Sequence, residues 1–147
     1  LSFMLFAAVI SRILFGFLSD KIGPIQTLIL GSSLQALSLS MFLPFSSQLS
    51  LYIVAIFFGL SQGGIVPIYT IIISKFLPTN EVAERVGLLI FATIIGMSVG
   101  GWLSGEIFDY TNSYKLTFLN GIFWNIINVS IMIYLYLVYK NSKRIND

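Results

Sequence analysis

A long stretch of this chain carries no charged residue. Between Lys21 and Lys75 lie 53 residues without Asp, Glu, Lys or Arg. As one helix the stretch would be about 80 Å long, at about 1.5 Å per residue. The hydrocarbon core of a bilayer is only about 30 Å thick, and about 20 apolar residues cross it. The stretch must therefore fold back once, and the Pro- and Ser-containing segment 44–50 is where the apolar pattern breaks.

The same charge map predicts the other helices. Residues 86–105 and 116–139 are also uncharged, and the 1–18 segment carries only Arg12. Composition agrees, since 56% of the 147 residues are hydrophobic and 10% are charged, against about a quarter charged in soluble domains. We therefore predict an all-α integral membrane protein embedded in a lipid bilayer. Its five predicted spans are residues 1–18, 25–44, 51–74, 86–108 and 116–139, followed by a tail at 140–147.

The first predicted span has neither an initiator Met nor the features of a signal peptide, because no positive segment and no small-residue cleavage site are present. We expect it to be a span cut near its start, in a chain that is part of a longer protein. Barrel strands fit poorly, because the apolar runs are continuous and lack the alternation of strands about ten residues long.

Lysine and arginine are distributed unevenly between the two ends of the predicted bundle. One end carries Lys21, Lys75, Arg85, Lys140, Lys143 and Arg144. The other end carries only Lys115. Because loops rich in Lys and Arg stay in the cytoplasm, we predict a multi-pass protein of the plasma (inner) membrane with a cytoplasmic C terminus.

The chain has no His and no Cys, which excludes much catalytic and metal chemistry. Zinc sites of the usual kind, haem on His or Cys, iron–sulfur clusters and Ser–His nucleophiles all need these residues. An intramembrane aspartyl protease would need paired acids, but Asp20 and Asp109 are predicted at opposite membrane faces. The basic residues are few and scattered, so nucleic acid is not indicated as a partner. We expect no enzyme activity, no metal and no cofactor.

The first predicted span ends in a recognisable motif, Gly16-Phe17-Leu18-Ser19-Asp20-Lys21-Ile22-Gly23. It resembles the G-x-L-[AS]-D-[RK]-x-G cytoplasmic signature of the major facilitator superfamily, although Pro24-Ile25-Gln26 follows where the family usually has basic residues. The resemblance implies that the chain corresponds to about spans 8 to 12 of a twelve-span transporter. It would then form most of the C-terminal six-helix half, with the N-terminal half as its partner.

Physical chemistry predicts roles for individual residues of this signature. Gly16 and Gly23 would allow close helix approach and a tight turn. Asp20 would lie at a helix end, where its carboxylate could cap the N terminus of a neighbouring helix. The alternative is that Asp20 and Lys21 form only a solvated turn.

A second stretch is similar to the eleventh span and following loop of monocarboxylate-transporter-like and oxalate/formate-antiporter-like members. It consists of Arg85-Val86-Gly87, a glycine-spaced helix, and Asp109-Tyr110-Thr111-Asn112-Ser113-Tyr114. Those members carry R-x-G and then D-x-T-G-S-Y. Asn112 stands where they have glycine, and both residue types tolerate a left-handed turn. The resemblance assigns Arg85 and Asp109, together with the first signature, to gating.

Glycines at small-xxx-small spacing predict close helix packing in lipid. They are Gly59 and Gly63 in the 51–74 span and Gly96, Gly100, Gly101 and Gly105 in the 86–108 span. Direct contact with a substrate is the alternative.

Arg12 is the foremost candidate binding residue. It is predicted about two turns inside its span, roughly 9 Å deep, where a charge is costly and usually marks a pathway, a partner or a binding site. Arg12, Gly16 and Asp20 recur every four residues and therefore share one helix face. Snorkelling to the headgroups and an ion pair with an acid elsewhere in the protein are the alternatives. Carboxylate-carrying relatives have an Arg before this signature, and the planar Arg fork suits a carboxylate.

Other polar residues lie within the predicted spans. Gln62 and Tyr69 are candidate substrate contacts, because by resemblance their span lines the cavity. Pro67 in the same span would free a carbonyl one turn earlier and bend the helix. Interhelical hydrogen bonding is expected for Gln35, Asn120, Asn125 and Asn128.

Arg12 and the family resemblance together predict a secondary active transporter of a small organic anion, such as a mono- or dicarboxylate, working by alternating access. One alternative is a major facilitator carrier of a sugar, drug or metabolite in which Arg12 is structural. A more remote one is a channel or a non-transporting scaffold. No acid is predicted at mid-membrane, so a proton-coupled mechanism would take its titrating group from the other half.

Overall fold

In the computed structural model, the chain is helical throughout, apart from short connections. The structure describes residues 2–45 and 47–146, with side chains through Asn141. The elements are α1 (Ser2–Ile22), α2 (Pro24–Met41), α3 (Gln48–Gln62), α4 (Ile65–Phe76), α5 (Val82–Thr111) and α6 (Tyr114–Asn146). The predicted all-α class is confirmed. The predicted tail at 140–147 is helical through Asn146, and the side chains of Lys143 and Arg144 lie outside the description.

Among the described residues, four helical stretches are long and apolar enough to cross a membrane. They are α1, the pair α3 and α4 taken together (Gln48–Phe76), α5, and α6 through Asn141. α2 occupies the predicted second span, but it has only 18 residues and includes Gln26 and Gln35 among several serines. A fifth span therefore stays a prediction.

α1 and α3 approach each other closely at small residues. The buried face of α1 consists of Ala7, Ser11, Phe15 and Ser19. Gly59 and Gly63 lie against the backbone of Met4 and Ala8, so a Cβ at either glycine would collide with main-chain atoms. The Ser11 hydroxyl donates a hydrogen bond of 2.5 Å to the Leu60 carbonyl. Close contact of this kind is what stabilises helix pairs in lipid.

The ring of Phe15 fills a notch between two glycines that sequence analysis did not single out. It lies against Gly31 of α2 and Gly64 between α3 and α4, and a Cβ at either position would collide with it. Phe15 is buried and belongs to the main core cluster. The other buried members of this cluster are Leu28, Ile65 and Ile68. Three helices are therefore joined at one aromatic side chain.

α2 and α6 are joined by polar side chains. The Asn125 amide donates a hydrogen bond of 2.9 Å to the Gln35 side-chain carbonyl. The Asn128 amide donates one of 3.4 Å to the Ser32 hydroxyl. The interhelical bonding predicted for Gln35, Asn125 and Asn128 is confirmed.

The 51–74 span is divided at Gly63 and Gly64. Pro67 has no N–H, so the Gly63 carbonyl lacks its usual donor four residues later. Both glycines keep right-handed helical backbone angles, so the helix is interrupted without being unwound. This is the freed carbonyl expected one turn before Pro67.

α5 is the least packed helix. None of its residues is buried, and it contacts only α4 and α6. Added Cβ atoms would meet nothing within 4 Å at Gly96, Gly100, Gly101 and Gly105. Close packing at these four glycines is therefore not formed within the described chain.

Candidate functional site

Arg12 lies within α1, six residues before residue 18, where the predicted span ends ahead of Asp20 and Lys21. At about 1.5 Å per residue, Arg12 is about 9 Å from that end. α1 continues through Asp20 and Lys21 to Ile22, and both charged residues are exposed, which suits the headgroup level. An α1 helix that crosses the bilayer therefore holds Arg12 inside the hydrocarbon, about two turns from the end that carries the signature turn. The predicted depth of Arg12 stays a prediction.

Arg12 belongs to an open face of α1. Its side chain is exposed, whereas the preceding Ser11 is buried against α3. Gly16 on the same face has open space around it, because a Cβ there would meet nothing within 4 Å. The close helix approach expected at Gly16 is therefore not formed with the described residues.

Arg12 has no acidic partner in the part of the chain that the structure describes. The salt bridge found there joins Arg85 and Glu81. Asp20, two turns along the same face, is exposed. The guanidinium is thus open to a ligand or to a group outside the described residues.

Gln62 lies at nearly the same height in the bundle as Arg12. It is 14 residues from each end of the Gln48–Phe76 stretch, and it is half-buried. The hydrogen bond between Ser11 and Leu60 joins close neighbours of the two residues. The helix interruption begins at the next residue along the chain, Gly63.

Tyr69 packs, partly buried, against the core cluster, as do Ile72 and Met132. This position gives Tyr69 a packing role, and its contact with a substrate stays a prediction. Sequence analysis could not separate the two roles, because the span is apolar on all sides.

The signature motif forms a tight turn between α1 and α2. Gly23 has a φ of +94°, a conformation that glycine adopts without strain. Its N–H donates to the Ser19 carbonyl at 3.0 Å, and the Thr27 hydroxyl donates to the Gly23 carbonyl at 2.8 Å. The tight turn predicted at Gly23 is confirmed.

Asp20 does not cap a helix within the described residues. α2 begins at Pro24 without a side-chain cap, and α5 also begins without one. Asp20 and the neighbouring Lys21 are both exposed. A cap by Asp20 on a helix outside the described residues stays a prediction.

The second motif occupies both ends of α5. Arg85 pairs with Glu81 one turn earlier at 3.4 Å, and such exposed pairs contribute about 0–1 kcal/mol. Asp109 is exposed near the other end. Asn112 has a φ of +50°, and its N–H donates to the Phe108 carbonyl at 2.7 Å. The left-handed turn predicted at Asn112 is confirmed.

The chemistry that these residues support is binding. The described residues contain no group of three or more His, Cys, Asp or Glu that could hold a metal. What they offer is an open guanidinium within α1, with a half-buried amide at a similar height. A guanidinium fork of this kind matches a carboxylate with two hydrogen bonds.

Comparison with known proteins adds two findings. The family model described as Major Facilitator Superfamily matches residues 1–147. The chain is 28% identical to monocarboxylate transporter 13 of Rattus norvegicus over 124 residues, which make up 80% of this chain and 29% of the rat protein. The chain therefore spans less than a third of that relative. No solved structure matches significantly.

Proposed function

Since the chain belongs to the Major Facilitator Superfamily, we propose that the full-length protein is a secondary active transporter of a small organic anion, of the mono- or dicarboxylate class. Arg12 binds the carboxylate of this substrate. The observation that carries the proposal is an exposed guanidinium within α1 that has no acidic partner among the described residues. The relative named monocarboxylate transporter 13 supports the choice of substrate class.

The surroundings of Arg12 support substrate binding over a structural ion pair, because the described residues offer it no acidic partner. A side chain about 9 Å from the headgroups could also snorkel, and Arg12→Lys separates the two, because Lys would snorkel nearly as well. An Arg at the centre of a membrane costs about 2.5–3.5 kcal/mol on insertion scales, and less nearer the headgroups. A water-filled cavity that admits an anion removes that cost.

Alternating access in this proposal needs a second bundle. The described helices form one wall of the cavity, and the remaining spans of the transporter form the other. The open face of α1 around Arg12 and the exposed surface of α5 are the surfaces that such a partner covers. Rocking of the two halves about the midplane then exposes Arg12 to each side in turn.

We also propose a location for the protein. The helices make it a multi-pass membrane protein, and we place it in the plasma membrane. The end of the bundle with Lys21, Lys75, Arg85 and Lys140 faces the cytoplasm, because positively charged loops are retained there.

Uptake by vesicles that contain the full-length protein tests this function. Labelled mono- and dicarboxylates are compared with a labelled sugar and with the uncharged amides of the same acids. We expect saturable uptake of at least one carboxylate and none of its amide. Uptake of the sugar or the amide alone would contradict the assignment.

A further inference from the structure

A cavity of about 590 Å³ opens at the end of the bundle that carries the signature turn. It lies where the start of α2 and the end of α4 meet α6. Its polar lining consists of Gln26, Lys75, Tyr136, Tyr139 and Lys140. No Asp or Glu lines it, and Asp20, the acid nearest to the turn in sequence, lies outside the lining. The cavity therefore has a net positive lining.

The two lysines are sequence neighbours of two aromatic rings that contact each other. Phe76 and Tyr139 pack edge to face, with ring centroids 5.2 Å apart and planes at 80°. Lys75 precedes one ring in sequence and Lys140 follows the other. Contact between the rings ties the end of α4 to α6, so both ammonium groups belong to one cavity.

Neither lysine forms a salt bridge with a side chain that the structure describes. The salt bridge in the described part of the chain involves Arg85 and Glu81 only, and Lys75 and Lys140 are both exposed. The first turn of α2 also opens on the cavity without a side-chain cap. Its free N–H groups add partial positive charge to that of the lysines.

The cavity lies at the level where the helices leave the hydrocarbon. Lys75 is the first charge after the uncharged residues 22–74, and Lys140 is the first after 116–139. Tyrosines such as Tyr136 and Tyr139 favour the headgroup level, where one end of the side chain is wet. The lining also includes Ile22, Ile25 and Phe76, which offer apolar contact that a small soluble anion would not use.

We propose that this cavity binds the phosphate headgroup of an anionic phospholipid. Lys75 and Lys140 contact the phosphate, and the apolar side chains contact the glycerol and upper acyl chain. Basic hollows between membrane helices are suited to such headgroups. The site is separate from Arg12 and does not depend on the substrate proposed above.

Binding of a fluorescent phosphatidylglycerol analogue to the full-length protein in detergent tests the proposal. Lys75→Gln and Lys140→Gln should each weaken binding about five-fold, because one Lys near an anionic surface contributes about that factor. Lys21→Gln is the matched control, because it removes a charge from the same end of the bundle but outside the cavity lining. It should change binding less than two-fold.

Three competitors identify the source of the phosphate. Unlabelled phosphatidylglycerol should displace the probe, whereas phosphatidylcholine and inorganic phosphate at matched concentration should not. Equal weakening by Lys21→Gln and Lys75→Gln would show diffuse surface attraction and overturn the proposal. Displacement by inorganic phosphate alone would assign the cavity to a soluble anion and also overturn it. No substrate is present in this assay, so neither result bears on transport.

Discussion

Single residues in this bundle owe their roles to the helix face on which they lie. Arg12 and Ser11 are adjacent in sequence, yet one is exposed and the other is buried against α3. The shared face of Arg12, Gly16 and Asp20 could be predicted from their four-residue spacing. The exposure of the Arg12 side chain could not, because it depends on which helices pack against α1.

The roles of individual glycines were also only partly predictable from the sequence. Gly63 and Gly100 have similar spacing motifs, but a Cβ would collide with the backbone of Ala8 at the first and meet nothing within 4 Å at the second. Spacing predicts that a glycine can be approached closely. Which helix approaches it depends on residues far away in sequence.

Gly63→Ala should destabilise the protein. The new Cβ would overlap the Ala8 main chain, which a side-chain rotation cannot relieve, and overpacking of this kind costs about 1–3 kcal/mol. Thermal unfolding of the full-length protein in detergent should show a lower Tm. Gly121→Ala is the control, because its nearest neighbour would be a flexible Leu39 side chain at 3.8 Å. Equal Tm values for the two variants would contradict the packing described for α1 and α3.

Whole elements were predictable to different degrees. The interruption between α3 and α4 followed from Pro67, whose missing N–H is a local property. The packing of α2 was harder to foresee, because its Gln and Ser residues lower its apolar character while α6 supplies hydrogen-bond partners. The open surface of α5 could not be foreseen, since exposure depends on every other helix.

A prediction at the scale of whole helices concerns the contact between α2 and α6. Asn125→Ala removes the hydrogen bond to Gln35 and leaves the Gln35 side chain without its donor. Interhelical hydrogen bonds in membranes contribute about 0.6–2 kcal/mol, so the Tm should fall.

Asn120→Ala is the matched control on the same helix. Asn120 is only half-buried, whereas Asn125 is buried, so the control should change the Tm less. A larger loss of Tm in Asn120→Ala than in Asn125→Ala would show that the hydrogen bond to Gln35 does not hold α2 on α6.

At the scale of the whole molecule, charge and hydropathy were enough for the class of fold. The uncharged runs predicted helices at every position where the structure has them, because lipid leaves few alternatives to a helix for an apolar chain. The site was less predictable. Arg12 and Gln62 do lie at a similar height, but Tyr69 packs, partly buried, against the core cluster, a position that depends on contacts between distant parts of the chain.

A prediction at the scale of the whole molecule concerns its orientation in the membrane. Cysteines at Ser47 and Asn141, both exposed, are introduced one at a time into a full-length protein without other cysteines. An impermeant thiol reagent on intact cells should label Ser47→Cys but reach Asn141→Cys only after the cells are opened. The opposite pattern would reverse the orientation derived from the Lys and Arg count.

The substrate class depends on Arg12, and its side-chain geometry can be separated from its charge. Arg12→Lys keeps the charge but loses the two-pronged fork, whereas Arg12→Gln loses both. An ion pair with a buried acid would instead be revealed by a low folded yield in both variants, because the partner is left uncompensated.

The most direct test measures the affinity of wild type, Arg12→Lys and Arg12→Gln for a transported carboxylate and for its uncharged amide, normalised to folded protein. We predict that wild type prefers the carboxylate, that Lys weakens its binding about ten-fold or more, as the loss of about 1.4 kcal/mol implies, and that Gln abolishes the preference. Amide binding should be unchanged throughout. Wild-type affinity for the carboxylate in Arg12→Gln would contradict the account.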